Sequence, residues 1–179
     1  MGLVKSFLEL GYEVIAIAPQ DDFSQLLVEE GCRFYPLQME NKGNNPIKDI
    51  SLIRQLYKIY KETRPDIILQ FTIKPNIYGT LAASRLKIPV INNVSGLGTV
   101  FLHDNLVSKI AHLLYRFSFR YATKVFFQNK DDLQLFLEKK LVSNDVAGLL
   151  PGSGIKVEKY NPLPFKRNNP LIFLLIARL

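Results

Sequence analysis

Short apolar runs alternate with longer stretches in which apolar residues recur at helical spacing, and the alternation continues along nearly the whole chain. Tyr12 to Ala18, Arg33 to Leu37, Asp66 to Phe71, Ile88 to Asn93, Lys124 to Gln128 and Val146 to Leu150 are short and rich in β-branched and aromatic residues. Such runs predict strands buried on both faces of a parallel sheet. Between them, Leu3 to Leu10, Phe23 to Glu30, Pro46 to Thr63, Pro75 to Leu86, Asn105 to Tyr121 and Asp131 to Lys140 show the periodicity of amphipathic helices. The resulting βαβα order argues for an α/β fold on an open, doubly wound parallel sheet.

Boundary residues agree with this division. Gly11 and Gly31 stand where a left-handed helix cap is wanted, Pro65 stops the long third helix, and Pro46 and Pro75 can each open one. Pro162, Pro164 and Pro170, interleaved with Lys166, Arg167, Asn168 and Asn169, read as a linker. The division expected is therefore a domain over 1–161, a linker over 162–170 and, over 171–179, the opening strand of a second domain. A doubly wound domain normally starts with a strand and a glycine-bearing turn, whereas this sequence opens on a helix, so the first strand is expected to be missing. Its place between two inner strands would be a slot. Leu171 to Ala177 has the composition to fill it, from the same chain or as a swapped homodimer.

Composition narrows the class. With 179 residues and 47% hydrophobic content, the chain can fill a core without disulfide or metal support. Its one cysteine, Cys32, has no partner and reads as a small buried thiol, which fits a reducing cytoplasm. The longest apolar run falls far short of the roughly 20 residues that cross a bilayer. Lys and Arg outnumber Asp and Glu by 23 to 16, a net charge of +7 that favours an anionic partner such as a nucleic acid, a phosphorylated substrate or an acidic lipid surface. Lys109, Arg116 and Arg120 lie within a helix rich in Leu, Ile, Phe and Tyr, and Arg54, Lys58 and Lys61 share one face of another. Each reads either as a lipid-facing basic amphipathic helix or as a core helix with a solvated outer face.

Ligands of open α/β sheets bind beyond the carboxyl ends of the strands, which directs attention to four loops. Thr72, Lys74 and Asn76 follow the third predicted strand and bring a hydroxyl, a cation and helix-opening amides together, a combination suited to an anion or to simple capping. Ser95, Gly96 and Gly98 follow the fourth; the segment lacks both the P-loop ending and the third glycine of a dinucleotide fingerprint. Gln128 and Asn129 follow the fifth, where Asn129 or Asp131 can cap the next helix, and Gly152 and Gly154 follow the sixth. His103 and His112 have no third ligand, so neither a metal site nor a Ser/His/Asp nucleophile is predicted.

Leu10 to Val14 with Ala18-Pro19, Arg64 to Ile68, and Leu149 to Asn161 together resemble the N-terminal domain of family 4 glycosyltransferases, in order and spacing along nearly the whole chain. Phe71 to Gly79, Ile91 to Gly98 and Gln128 to Asp132 are similar to a bacterial subgroup that builds surface polysaccharides such as capsule and O-antigen on polyprenyl-diphosphate carriers. The resemblance implies a GT-B fold of two Rossmann-like domains facing each other across a cleft, this chain being the acceptor-side one. It implies a retaining hexosyl- or N-acetylhexosaminyltransferase that needs no metal or cofactor and works on a nucleotide-sugar and a lipid-linked saccharide at the cytoplasmic membrane face. Thr72, Lys74, Asn76, Ser95, Gly96 and Gly98 would then be acceptor-side residues, with Lys74 against an acceptor phosphate and Gln128, Asn129, Gly152 and Gly154 along the cleft. Arg178, in an Ala-Arg-Leu motif, would meet the donor diphosphate. The downstream Lys and glutamate pair of the family are absent from this sequence, and many relatives carry His where Ser95 or Gly96 stands, so the isolated chain is expected to be inactive. A basic nucleic-acid-binding domain and a nicotinamide-dependent oxidoreductase fragment are the competing readings, without a recognition motif and without the fingerprint respectively.

Overall fold

The computed structural model describes residues 2–39, 45–97, 106–152, 154, 157 and 161. The order is α1 (Gly2–Glu9), β1 (Ile15–Ala18), α2 (Ser24–Glu29), β2 (Arg33–Pro36), α3 (Pro46–Thr63) and β3 (Ile68–Phe71). A π-helical turn (Pro75–Gly79) then leads into α4 (Thr80–Ser84) and β4 (Val90–Val94). α5 (Leu106–Ser118) ends in a 3-10 turn (Phe119–Tyr121) and is followed by β5 (Lys124–Phe127), α6 (Lys130–Glu138) and β6 (Ala147–Leu149). Each of the six strands expected between Tyr12 and Leu150 is present, shorter by a residue or more than the apolar run that announced it.

All pairings are parallel. β1 pairs with β2, and a second sheet runs β3-β4-β5-β6. No ladder joins β1 to β3 among the described residues. Leu171 to Ala177, the linker 162–170 and Arg178 lie outside the described residues.

Local chemistry explains the helix ends. Asn45 caps α3, its Oδ1 accepting from the amides of Ile47 at 3.0 Å and Lys48 at 3.5 Å, and Pro46 gives up no bond in the first turn. The helix closes on Arg64 in the left-handed region, φ 46°. Gly11 and Gly31 hold the expected positive φ, 82° and 102°. Cys32 is buried, and burial raises its thiol pKa, as suits a packing residue.

The expected α-helix from Pro75 to Leu86 instead opens with the wider π turn. Two contacts account for it. The Thr80 hydroxyl donates to the Asn76 carbonyl at 2.6 Å, a local bond that competes with the regular ladder. Gly79 lies so close to the buried Gln70 that a Cβ there would stand 2.9 Å from Gln70 Cδ and 3.0 Å from the Tyr60 hydroxyl oxygen.

Two apolar clusters form the core. One gathers Leu37, Leu52, Leu56, Ile68, Ala82, Ala83 and Val90 around α3; the other gathers Val94, Tyr115, Phe119, Phe127 and Phe136 under α5 and α6. A polar network runs through the first. Gln70 and Asn92 are paired in register; Asn92 Nδ2 donates to Thr80 Oγ1 at 3.0 Å, and Gln70 Nε2 donates to the Tyr60 hydroxyl at 3.1 Å.

Burial pushes the Tyr60 hydroxyl pKa up to about 12, against a smaller lowering by Gln70. The unfolded chain releases this proton near pH 10, the folded one only near 12, so ionisation favours unfolding. The stability Tyr60 contributes in its neutral form is complete below about pH 10 and falls by about 2–3 kcal/mol as the pH climbs to about 12. Urea midpoints measured across that window should fall, and less steeply in Tyr60→Phe; a flat profile would show that Tyr60 is not sealed in.

Candidate functional site

The parallel register brings the carboxyl ends of β3, β4 and β5 to one edge, with Phe71 beside Asn93 and Val94 beside Phe127. A cavity of about 180 Å³ opens there, lined by Thr72, Ile73, Asn76, Val94, Ser95, Gly96 and Tyr115. Four residues expected at the site, Thr72, Asn76, Ser95 and Gly96, therefore share one wall. Gly98 lies outside the described residues.

Backbone geometry sets each position. Thr72 leaves β3 at φ 69°, a left-handed conformation that a β-branched residue adopts only under strain. The π turn from Pro75 carries Asn76 back over the sheet, where its Nδ2 donates to the Asn93 carbonyl at 3.0 Å. Gln128, beyond β5, donates from Nε2 to Asn93 Oδ1 at 3.3 Å. Asn93 thus ties two of the expected residues together behind the cavity.

Lys74 is not part of that wall. Its ammonium donates to Asp49 Oδ1 at 2.8 Å, both side chains being largely buried, and the Tyr78 hydroxyl donates to Asp49 Oδ2 at 2.7 Å. Asp49 sits in the first turn of α3, where the helix dipole favours a carboxylate. A phosphate contact by Lys74 would require the ammonium to leave Asp49. Burial, reinforced by the Asp49 carboxylate, raises the Tyr78 pKa.

The remaining expected residues do not line the cavity. Asn129 caps α6, its Oδ1 accepting from the Asp132 amide at 2.7 Å. Gly152 and Gly154 are exposed, with φ 90° and 63°, beyond β6. Among the described residues no group of three or more His, Cys, Asp and Glu is placed to hold a metal. Sequence reasoning missed Asn93, Asp49 and Tyr115. Only Asn93 left a signal: Asn92 and Asn93 are polar residues in the middle of an otherwise apolar strand.

This cavity lies in a parallel α/β half-fold, and the sequence pattern of a known family covers the same region. The family described as Glycosyl transferase 4-like matches residues 1–129, which include the Thr72, Asn76, Ser95 and Gly96 wall. The chain belongs to that family. A glycosyl transferase 4-like domain with this topology matches the N-terminal half of GT-B glycosyltransferases. HepE of Anabaena, solved with UDP-glucose, superposes with a TM-score of 0.65 at 15% identity, over 90% of this chain and 42% of that one. MurG of Acinetobacter baumannii gives 0.56 at 16%, over 89% and 42%. At these identities the likeness concerns the fold alone.

Among curated proteins, the N,N'-diacetylbacillosaminyl-diphospho-undecaprenol alpha-1,3-N-acetylgalactosaminyltransferase of Campylobacter jejuni is 28% identical over 168 residues, 91% of this chain and 44% of its own length. The UDP-Gal:alpha-D-GlcNAc-diphosphoundecaprenol alpha-1,3-galactosyltransferase of Escherichia coli is 26% identical over 149 residues, 74% of this chain and 37% of its own. The chain spans less than half the length of both.

Proposed function

We propose that this glycosyl transferase 4-like domain is the acceptor-side wall of a retaining transferase that moves a hexose or N-acetylhexosamine from a nucleotide-sugar to a polyprenyl-diphosphate-linked saccharide. The observation that carries the reading is the cavity at the carboxyl ends of β3 and β4, uncharged among the described residues, inside a region related to two transferases named for undecaprenyl-diphosphate substrates. Transfer needs an acceptor hydroxyl held against the anomeric carbon while positive charge stabilises the departing nucleotide diphosphate. The cavity suits the first task. Arg178 is the residue of this chain suited to the second.

A membrane-bound acceptor fits the surface of α5. This helix buries Ser108, Tyr115 and Ser118 and turns Leu106, Ile110, Leu113 and Phe117 outward, with Lys109 and Arg120 exposed on the same helix and the turn that ends it. Exposed apolar residues beside cations suit an anionic lipid surface. Arg116 belongs elsewhere: it donates to the carbonyls of Lys139 and Lys140 at the end of α6. Arg54, Lys58 and Lys61 form an exposed face of α3. Among the described residues no helix is long and apolar enough to cross a membrane.

Co-sedimentation with phosphatidylglycerol vesicles, with and without an undecaprenyl-diphosphate saccharide, tests the reading. The chain should be retained by both and about tenfold more tightly by those carrying the saccharide. With nucleotide-sugar added, turnover should stay at background, because one wall of a two-domain cleft holds the acceptor without presenting the donor. Equal retention by the two kinds of vesicle would overturn the acceptor assignment, and turnover at a complete enzyme's rate would overturn the half-site.

A further inference from the structure

Independent features of one segment converge on the cavity. Thr72 holds a left-handed backbone, a strained conformation for a β-branched residue. The π turn begins three residues later, at Pro75, a departure from regular helix that recurs at functional sites. Within it, Asn76 is 1% exposed, forms part of the cavity wall, and has an Oδ1 with no hydrogen-bond partner among the described residues. The orientation of its amide is fixed, because the Asn93 carbonyl that faces Nδ2 only accepts. A buried carbonyl left unmatched is destabilising, and a hydrogen-bond donor reaching it from the cavity would relieve that cost.

We infer that Asn76 is a specificity-determining residue that accepts a hydrogen bond from a hydroxyl of a neutral sugar ring, and that the cavity takes this ring rather than a diphosphate. Among the described residues the wall carries no charged side chain, and Lys74, the nearest cation in sequence, is held by Asp49. A phosphate oxygen brought against Oδ1 would set acceptor against acceptor. A sugar hydroxyl supplies the missing donor, the Thr72 and Ser95 hydroxyls can give or accept, and Ile73 and Val94 offer apolar surface to the C–H face of a ring. The inference rests on the transferase reading for the identity of the ring, and on the geometry for its hydrogen bond.

The test uses the whole 179-residue chain, with the methyl glycosides of galactose and N-acetylgalactosamine and with inorganic pyrophosphate as probes. In NMR titrations a methyl glycoside should move the Asn76 side-chain amide and the Gly96 backbone amide, and pyrophosphate should leave both in place. Deoxy and deoxyfluoro analogues then read the hydrogen bond, since fluorine accepts weakly and cannot donate. At one ring position both replacements should weaken Kd about tenfold. Resonances that move with pyrophosphate, that stay put with both glycosides, or that respond to every fluoro analogue as to its parent would overturn the inference. Capture of lipid-linked saccharide on vesicles without any fluorine effect would sink this inference alone. A glycoside bound at Asn76 without such capture would sink the transferase reading alone.

Discussion

Replacing Phe136 by alanine is expected to cost about 3–5 kcal/mol of folding stability, among the largest losses available to a single side chain here. Phe136 is fully buried and meets Tyr115 and Phe127 edge-on, ring centroids 5.1 and 5.0 Å apart, with Phe119 at 6.1 Å. Its removal would leave a cavity that three rings on α5, the following 3-10 turn and β5 cannot close without moving together. A loss of that size is a large fraction of the 5–15 kcal/mol that keeps a typical domain folded. Tyr115 also lines the candidate site, so loosening it should reach the cavity wall. Urea unfolding of Phe136→Ala beside Phe136→Leu checks this; a loss below about 1 kcal/mol for the alanine variant would show a plastic core.

Asp49→Ala is the second large effect, about 3 kcal/mol. The substitution strips the acceptor from the Lys74 ammonium and from the Tyr78 hydroxyl in one step. The side chains of Lys74 and Asp49 are 16% and 14% exposed, too buried for water to replace the lost partner fully and too open for the cost of a sealed charge. Adding Lys74→Met should restore more than half of the loss, because an apolar side chain leaves no ammonium to satisfy. A double-mutant cycle by urea unfolding measures the coupling. A cost under 1 kcal/mol for Asp49→Ala would place the pair with solvent-screened surface bridges.

Much of this architecture was legible in the sequence because strand burial and helix periodicity leave local traces. The runs ending at Ala18, Phe71, Asn93 and Gln128 became β1, β3, β4 and β5, and Gly11, Gly31 and Pro46 marked ends by backbone chemistry that acts within a few residues. Thr72, Asn76, Ser95 and Gly96 could be named in advance because ligands of such sheets gather where the strands end. The features that escaped depend on contacts distant in sequence. Lys74 meets Asp49 across 25 positions, and nothing in a lone aspartate near a helix start announces its partner. The π turn goes with Gly79 lying against Gln70 and with the Thr80 hydroxyl bonded to the Asn76 carbonyl. Tyr115 reaches the wall from a helix whose pattern fits either a lipid-facing or a core reading and does not show that it buries serines and exposes Leu106, Leu113 and Phe117.

The most direct test is a crystal structure of the chain with a soluble acceptor headgroup, a saccharide diphosphate lacking the polyprenol. The sugar should occupy the cavity between β3 and β4, a ring hydroxyl donating to Asn76 Oδ1 and the diphosphate pointing out past Thr72. A diphosphate lodged against Asn76 and Ser95 with the sugar outside, or a headgroup bound away from this edge of the sheet, would contradict the account.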